Sequence, residues 1–216
     1  MWCCSIISET RSVGEFQIFC PINKRPSPPC VYSVHFLKFS STNVEDIMAS
    51  KGLTYRECTI EIENKCPEFT LCNPQVYTKS GFCKSPLPPT LGPSEFGKAQ
   101  FNKTLYSARG AVGVFTYDLQ NKSKEECLEK VAIMFSVPYD YILYSNTYAV
   151  GVFDHYKKCD ESLFEEMCNI KHPHSGFVRG KAKDSQSLTH KGEHVTVRAT
   201  MSNSGTSVVK VQVCIK

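Results

Sequence analysis

Hydrophobic and polar positions alternate most cleanly just after Glu57, where Cys58, Ile60 and Ile62 interleave with Thr59, Glu61 and Glu63. A period of two puts the first set on the inner face of a strand and leaves the second to solvent. Val131, Ile133 and Phe135 repeat the pattern, and Pro138 ends that segment because proline has no N–H to give to a ladder. The same reasoning predicts strands near 68–77, 109–118, 130–136, 147–154, 194–201 and 206–215. Asn203-Ser204-Gly205 supplies a tight turn between the last two. Leu163, Phe164 and Met167 share one face of a helix over 161–170, and residues 123–130 suggest a second short helix within an insertion. Residues 86–93 read as an extended loop rich in proline. The expected class is all-β, a sandwich flanked by one or two short α-helices.

Residues 1–47 lack this order. Pro21, Pro26, Pro28 and Pro29 break any long helix, and Cys3, Cys4, Cys20 and Cys30 follow no period. Met48-Ala49-Ser50-Lys51-Gly52 reads like a translation start. The expectation is a domain over 48–216, preceded by an extension over 1–47 that is poorly ordered or untranslated. No secretory signal is evident, since Trp2 to Ile7 is short and runs into Glu9 and Arg11. No apolar run approaches the ~20 residues that a membrane-spanning helix needs.

Charge sharpens the picture. The formal net charge is +4, and residues 170–216 carry eight Lys or Arg against Asp184 and Glu193. Such an excess suits an anionic surface or a solvated sheet face. The twelve cysteines include no Cys-x-x-Cys. Cys58, Cys66, Cys72 and Cys83 suit either disulfides of undetermined connectivity or small buried hydrophobes. Asn102-Lys103-Thr104 and Asn121-Lys122-Ser123 are glycosylation sequons for a secreted chain. No Gly-x-Ser-x-Gly elbow, phosphate loop or dinucleotide fingerprint occurs, so no enzyme is expected. His190 and His194 flank Gly192, which suggests a hairpin turn, and His172-Pro173-His174 is equally weak as a ligand set. Neither cofactor nor metal is expected.

The densest motif is Met134-Phe135-Ser136-Val137-Pro138-Tyr139-Asp140-Tyr141, followed by Tyr144-Ser145-Asn146. It resembles the head-group loop of the actinoporins, the pore-forming cytolysins of sea anemones, and their actinoporin-like relatives in other animals. Fainter resemblance runs from about residue 56 to 215, through Lys79-Ser80-Gly81, Gly110-Ala111-Val112-Gly113-Val114 and Met201-Ser202-Asn203-Ser204-Gly205. The resemblance implies an actinoporin-like β-sandwich and choline-containing phospholipids as partners. It also implies a homo-oligomer on the membrane that forms cation-conducting pores, with no nucleic acid involved. Such a protein is secreted or peripheral on a target membrane; the lack of an evident signal leaves cytosolic storage or non-standard export as the alternative.

Carried over by motif, the head-group site would comprise Ser80, Val112, Ser136, Pro138 and Tyr144, with Lys79 and Ser80 as phosphate donors. Aromatic faces hold a quaternary ammonium at ~0.5–2 kcal/mol per ring. Tyr139, Tyr141, Tyr148 and Phe164 are the expected membrane-facing aromatics. The family's tyrosine cluster on its second helix is replaced here by Phe164, Cys168 and Asn169, and its tryptophans by Leu143, Thr147 and Tyr148. Its long inserting N-terminal helix has no clear counterpart, since Tyr32, His35, Ser40, Ser41, Thr42 and Asn43 interrupt any apolar stripe before Ile47. A non-lytic lipid- or glycan-binding module is therefore the alternative expectation.

Overall fold

Strict alternation places Cys58, Ile60, Ile62 and Asn64 of β1 (Glu57–Asn64) on the buried face. The computed structural model describes residues 55–123, 126–168 and 176–216. The expected start at Met48, the extension over 1–47 and the histidines at 172 and 174 lie outside them. Two six-stranded sheets form the body. In the first sheet β1 runs parallel to β12 (Thr206–Ile215) and antiparallel to β5 (Phe96–Asn102). β11 (Val195–Met201) pairs with β12 and with β10 (Leu188–Lys191), while β3 (Phe82–Ser85) closes the other edge on β5.

In the second sheet β6 (Ala111–Asn121) lies between β2 (Phe69–Ser80) and β7 (Cys127–Val137). β8 (Thr147–Asp154) and β9 (Phe177–Lys181) extend it, and β4 (Thr90–Leu91) caps β2. Ile60, Val197 and Val211 of the first sheet share one core with Phe115, Ile133 and Phe135 of the second. Across that core the Phe101 and Phe135 rings are 4.6 Å apart. Each such side chain contributes about 1.5–3 kcal/mol on burial.

The expected helix is α1 (Glu161–Cys168), whose buried residues are Leu163, Phe164 and Met167; positions 169–170 lie outside the described residues. Asp160 Oδ1 accepts the Leu163 N–H at 3.1 Å, capping its first turn. α1 covers Val114, Ala132, Met134 and Ala149 on the outer face of the second sheet.

The second expected helix, over 123–130, is not formed: Cys127 to Lys130 belong to β7. The glutamates and lysines there favour a helix locally, but tertiary partners decide. Lys130 pairs with Asp118 of β6 at 3.3 Å, and the Glu129 carboxylate accepts the N–H groups of Glu193 and His194 at 2.7 and 3.0 Å. The hairpin expected around Gly192 is present, closed by Gly192 N–H to the Val195 carbonyl at 2.8 Å. All eight described cysteines are free thiols. Burial pushes the Cys66 thiol up to about 12 and also raises that of Cys58, so both behave as small core hydrophobes.

Candidate functional site

Strand register assembles the central residues. Ser80 of β2 faces Val112 of β6, Val112 faces Ser136 of β7, Ser136 faces Thr147 of β8, and Thr147 faces Lys181 of β9. Three residues expected from distant motifs thus form one row across the end of the second sheet. Thr147, noted in the sequence only as standing where the family has a tryptophan, and Lys181, which nothing singled out, extend it. Val112 packs against the apolar cluster beneath α1, and the Ser80 hydroxyl donates to the Gly110 carbonyl at 2.8 Å.

Lys79 occupies a β-bulge between Thr78 and Ser80. The extra residue aims its ammonium at α1, where it pairs with Glu161 and lies 3.9 Å from Glu165. The Glu161 bond raises the Lys79 pKa and, reciprocally, holds the Glu161 carboxyl below its usual range. A phosphate at Lys79 therefore competes with these carboxylates.

Beyond Val137 the chain enters the 138–146 loop. Arg56, just ahead of β1, fixes its root by donating from Nε to the Pro138 carbonyl at 2.7 Å and from Nη2 to the Tyr139 carbonyl at 2.6 Å. Its guanidinium lies 4.6 Å from the Tyr141 ring and 5.8 Å from that of Tyr139, over which Lys103 also sits at 4.8 Å. These two tyrosines already hold intramolecular cations. The Tyr141 hydroxyl is shared between Asn146 Oδ1 at 2.6 Å and the Ser204 carbonyl at 2.7 Å. Buried Asn146 then donates to the carbonyls of Ser202 and Ser204 at 3.0 and 2.9 Å, which ties the loop to the β11–β12 hairpin.

Asp140 turns the loop outward. Its Oδ1 accepts the N–H groups of Ile142 and Leu143 at 2.7 and 3.2 Å, and its carbonyl accepts that of Tyr144 at 3.2 Å. Ile142 is left 95% exposed, Leu143 72% and Tyr144 64%. Phe82, Leu105 and Tyr106 are also exposed, and strand order brings them to the same end of the sandwich. Exposed Arg109, Lys181 and Lys183 stand among these loops, with Asp184 as an opposing charge.

Two expectations for membrane-facing aromatics change. Tyr148 is 1% exposed, because it pairs with inward-facing Phe135, and its hydroxyl donates to the Gln186 carbonyl. Phe164 is buried between α1 and the sheet, 6.1 Å from the Tyr77 ring. Tyr139 and Tyr141 are half-buried at the loop root. The outward surface falls instead to Ile142, Leu143 and Tyr144. The sequence signal for it is Asp140, a turn former placed directly before apolar residues.

Comparison with known proteins bears on the family and the fold. The model of the sea anemone cytotoxic protein family matches residues 37–215. Bryoporin of Physcomitrium patens is 28% identical over 145 residues, which cover 67% of this chain and 76% of that protein. DELTA-alicitoxin-Pse1b of Phyllodiscus semoni is 35% identical over 132 residues, 59% of this chain and 54% of that toxin, so the match spans about half its length. Among solved structures, the lipid binding protein Nakanori shares the fold with a TM-score of 0.56 and 12% identity, covering 79% of this chain and 76% of its own. A β-sandwich carrying this loop, matched over most of its length by the family model, belongs to the sea anemone cytotoxic protein family, the actinoporins.

Proposed function

We propose that this protein docks on phospholipid membranes through the loop end of its sandwich, with a choline head group held at the Ser80–Val112–Ser136 row beside Pro138 and Tyr144. The observation that carries the reading is the register that makes three separate motifs adjacent, next to a loop presenting Ile142, Leu143 and Tyr144 to the outside. Ser136 supplies a hydroxyl for a phosphate, Ser80 can donate to it by giving up its bond to the Gly110 carbonyl, and exposed Tyr144 supplies an aromatic face for a quaternary ammonium. The exposed apolar side chains suit the boundary between head groups and acyl chains. Nakanori is a lipid binding protein, which supports the same class of ligand.

Permeabilisation by oligomeric, cation-conducting pores is the activity we propose from family membership, with the protein secreted or peripheral on its target membrane. The chain acts by binding, without catalysis. The second reading, a non-lytic lipid- or glycan-binding module, is favoured by the interrupted apolar pattern over residues 31–47. Among the described residues no helix is long and apolar enough to cross a membrane.

The test is co-sedimentation with phosphatidylcholine vesicles, in parallel with release of an encapsulated dye. Binding that soluble phosphocholine competes away is expected, and Ser136→Val should weaken it severalfold. Binding without dye release selects the second reading. No binding, or binding indifferent to phosphocholine and to Ser136→Val, refutes the head-group site.

A further inference from the structure

We propose that the turn at 104–107, between β5 and β6, is a second membrane contact, in which Leu105 and Tyr106 enter the head-group–acyl boundary of a phospholipid membrane alongside residues 142–144. This inference rests on the docking reading above and extends it to a segment that no motif pointed to.

Three observations carry it. First, Tyr106 is 84% exposed and Leu105 50%, at the tip of a turn closed by Ser107 N–H to the Thr104 carbonyl at 3.3 Å. Second, Tyr106 occupies the second central position with a φ of +60°, where glycine or asparagine is the low-strain choice. Packing does not account for an aromatic there, since the ring stands in solvent. A tyrosine suits a membrane boundary, with an apolar ring and a hydroxyl that stays wet.

Third, both ends of the loop are fixed to the root of the docking loop. The Lys103 ammonium lies 4.8 Å from the Tyr139 ring. Gly110 sits so close to Val137 that an added Cβ would be 1.9 Å from its carbonyl oxygen. The 104–107 tip therefore leaves the sandwich at the same end as Ile142 and Leu143. Exposed Arg109 flanks the apolar pair, as suits side chains entering beneath a layer of phosphates.

The experiment uses the full chain and phosphatidylcholine vesicles. The variant Leu105→Ser/Tyr106→Asn keeps a residue that tolerates positive φ, so its melting temperature should be unchanged or raised. Its partition onto vesicles should fall by about tenfold, as loss of apolar burial at the tip requires. In a second measurement, Tyr106→Trp should show fluorescence quenched by phosphatidylcholine brominated on its acyl chains, after subtraction of the unsubstituted protein's signal from Trp2.

Unchanged partition of Leu105→Ser/Tyr106→Asn, while Ile142→Ser/Leu143→Ser loses binding, would overturn this inference and leave the docking reading standing. Unchanged partition of both variants would overturn both. Lipid-independent self-association abolished by Leu105→Ser/Tyr106→Asn would assign the turn to a second copy of the chain and also overturn it.

Discussion

At one end of the sandwich, buried Asn64 donates to the carbonyls of Phe69 and Leu91 at 2.9 and 3.0 Å and accepts the Cys66 N–H at 3.0 Å. At the other end, buried Asn146 performs the same service for Ser202, Ser204 and Tyr141. Each end thus has one amide that fastens loops from both sheets. What the loops carry differs. The Asn64 end exposes Phe96, Tyr156 and Ile215 singly, on separate segments. The Asn146 end exposes Ile142, Leu143 and Tyr144 consecutively, with Leu105, Tyr106 and Phe82 at the same end. Scattered apolar residues are ordinary on a protein surface, whereas a contiguous group marks a contact. Stiffness is common to both ends, and apolar presentation is the property of one.

Substituting the fasteners should produce the largest effects. Asn64→Ala strands the buried carbonyls of Phe69 and Leu91 and should cost about 2–4 kcal/mol of stability. Asn146→Ala, whose acceptors keep donors in Ser207 and Tyr141, should cost about 1–2 kcal/mol, and both losses should be seen as a lower midpoint in urea. Below those midpoints only Asn146→Ala should also weaken vesicle binding, because it alone loosens the loop that presents Ile142. Equal loss of binding in the two variants would dissolve the distinction between the ends.

Next in size, Ile142→Ser/Leu143→Ser should reduce partition onto choline-lipid vesicles by about 2 kcal/mol, with little change in melting temperature. The mirror variant Phe96→Ser/Ile215→Ser should leave partition unchanged. Tyr144→Ala should cost about 1 kcal/mol of binding if its ring faces a quaternary ammonium. An effect as large on vesicles of phosphatidylglycerol, which carries no ammonium, would assign the ring to apolar contact instead.

The smallest effect concerns pH. Burial holds the His190 imidazole below its ordinary value of 6.5. A depressed pKa means that the unfolded chain binds the proton more readily, so the contribution is complete above about pH 6.5 and is lost as pH falls through the folded value. Thermal unfolding should therefore shift to lower temperature on acidification below about pH 6.5, and His190→Gln should flatten that slope.

Much of the fold is legible in the sequence. β1, β8 and β12 carry enough alternating or β-branched residues that the alternation over 58–63 and the expected strands 147–154 and 206–215 match the structure closely. β5 is hidden because its inward positions include Gly97 and Ala99, too small to register as a hydrophobic period. β9 and β10 are short strands at sheet edges; β9 pairs with β8, some thirty residues earlier across α1, and β10 is only four residues long, too short for a clear period. The Ser80–Val112–Ser136 row is legible through motifs, yet its adjacency is a matter of register. Tyr148 illustrates the limit. Its chemistry suits a membrane boundary, but its pairing with Phe135 fixes which face it takes. Ile142 and Leu143 reach solvent through the Asp140 turn, a three-dimensional consequence that hydropathy alone reads as core.

The most direct test is amide hydrogen exchange of the full chain with and without phosphatidylcholine vesicles. The account expects added protection over residues 138–147, with 155–160 and 192–194 unchanged. Protection at the Asn64 end, or spread evenly over both ends, would contradict docking through the Asn146 end.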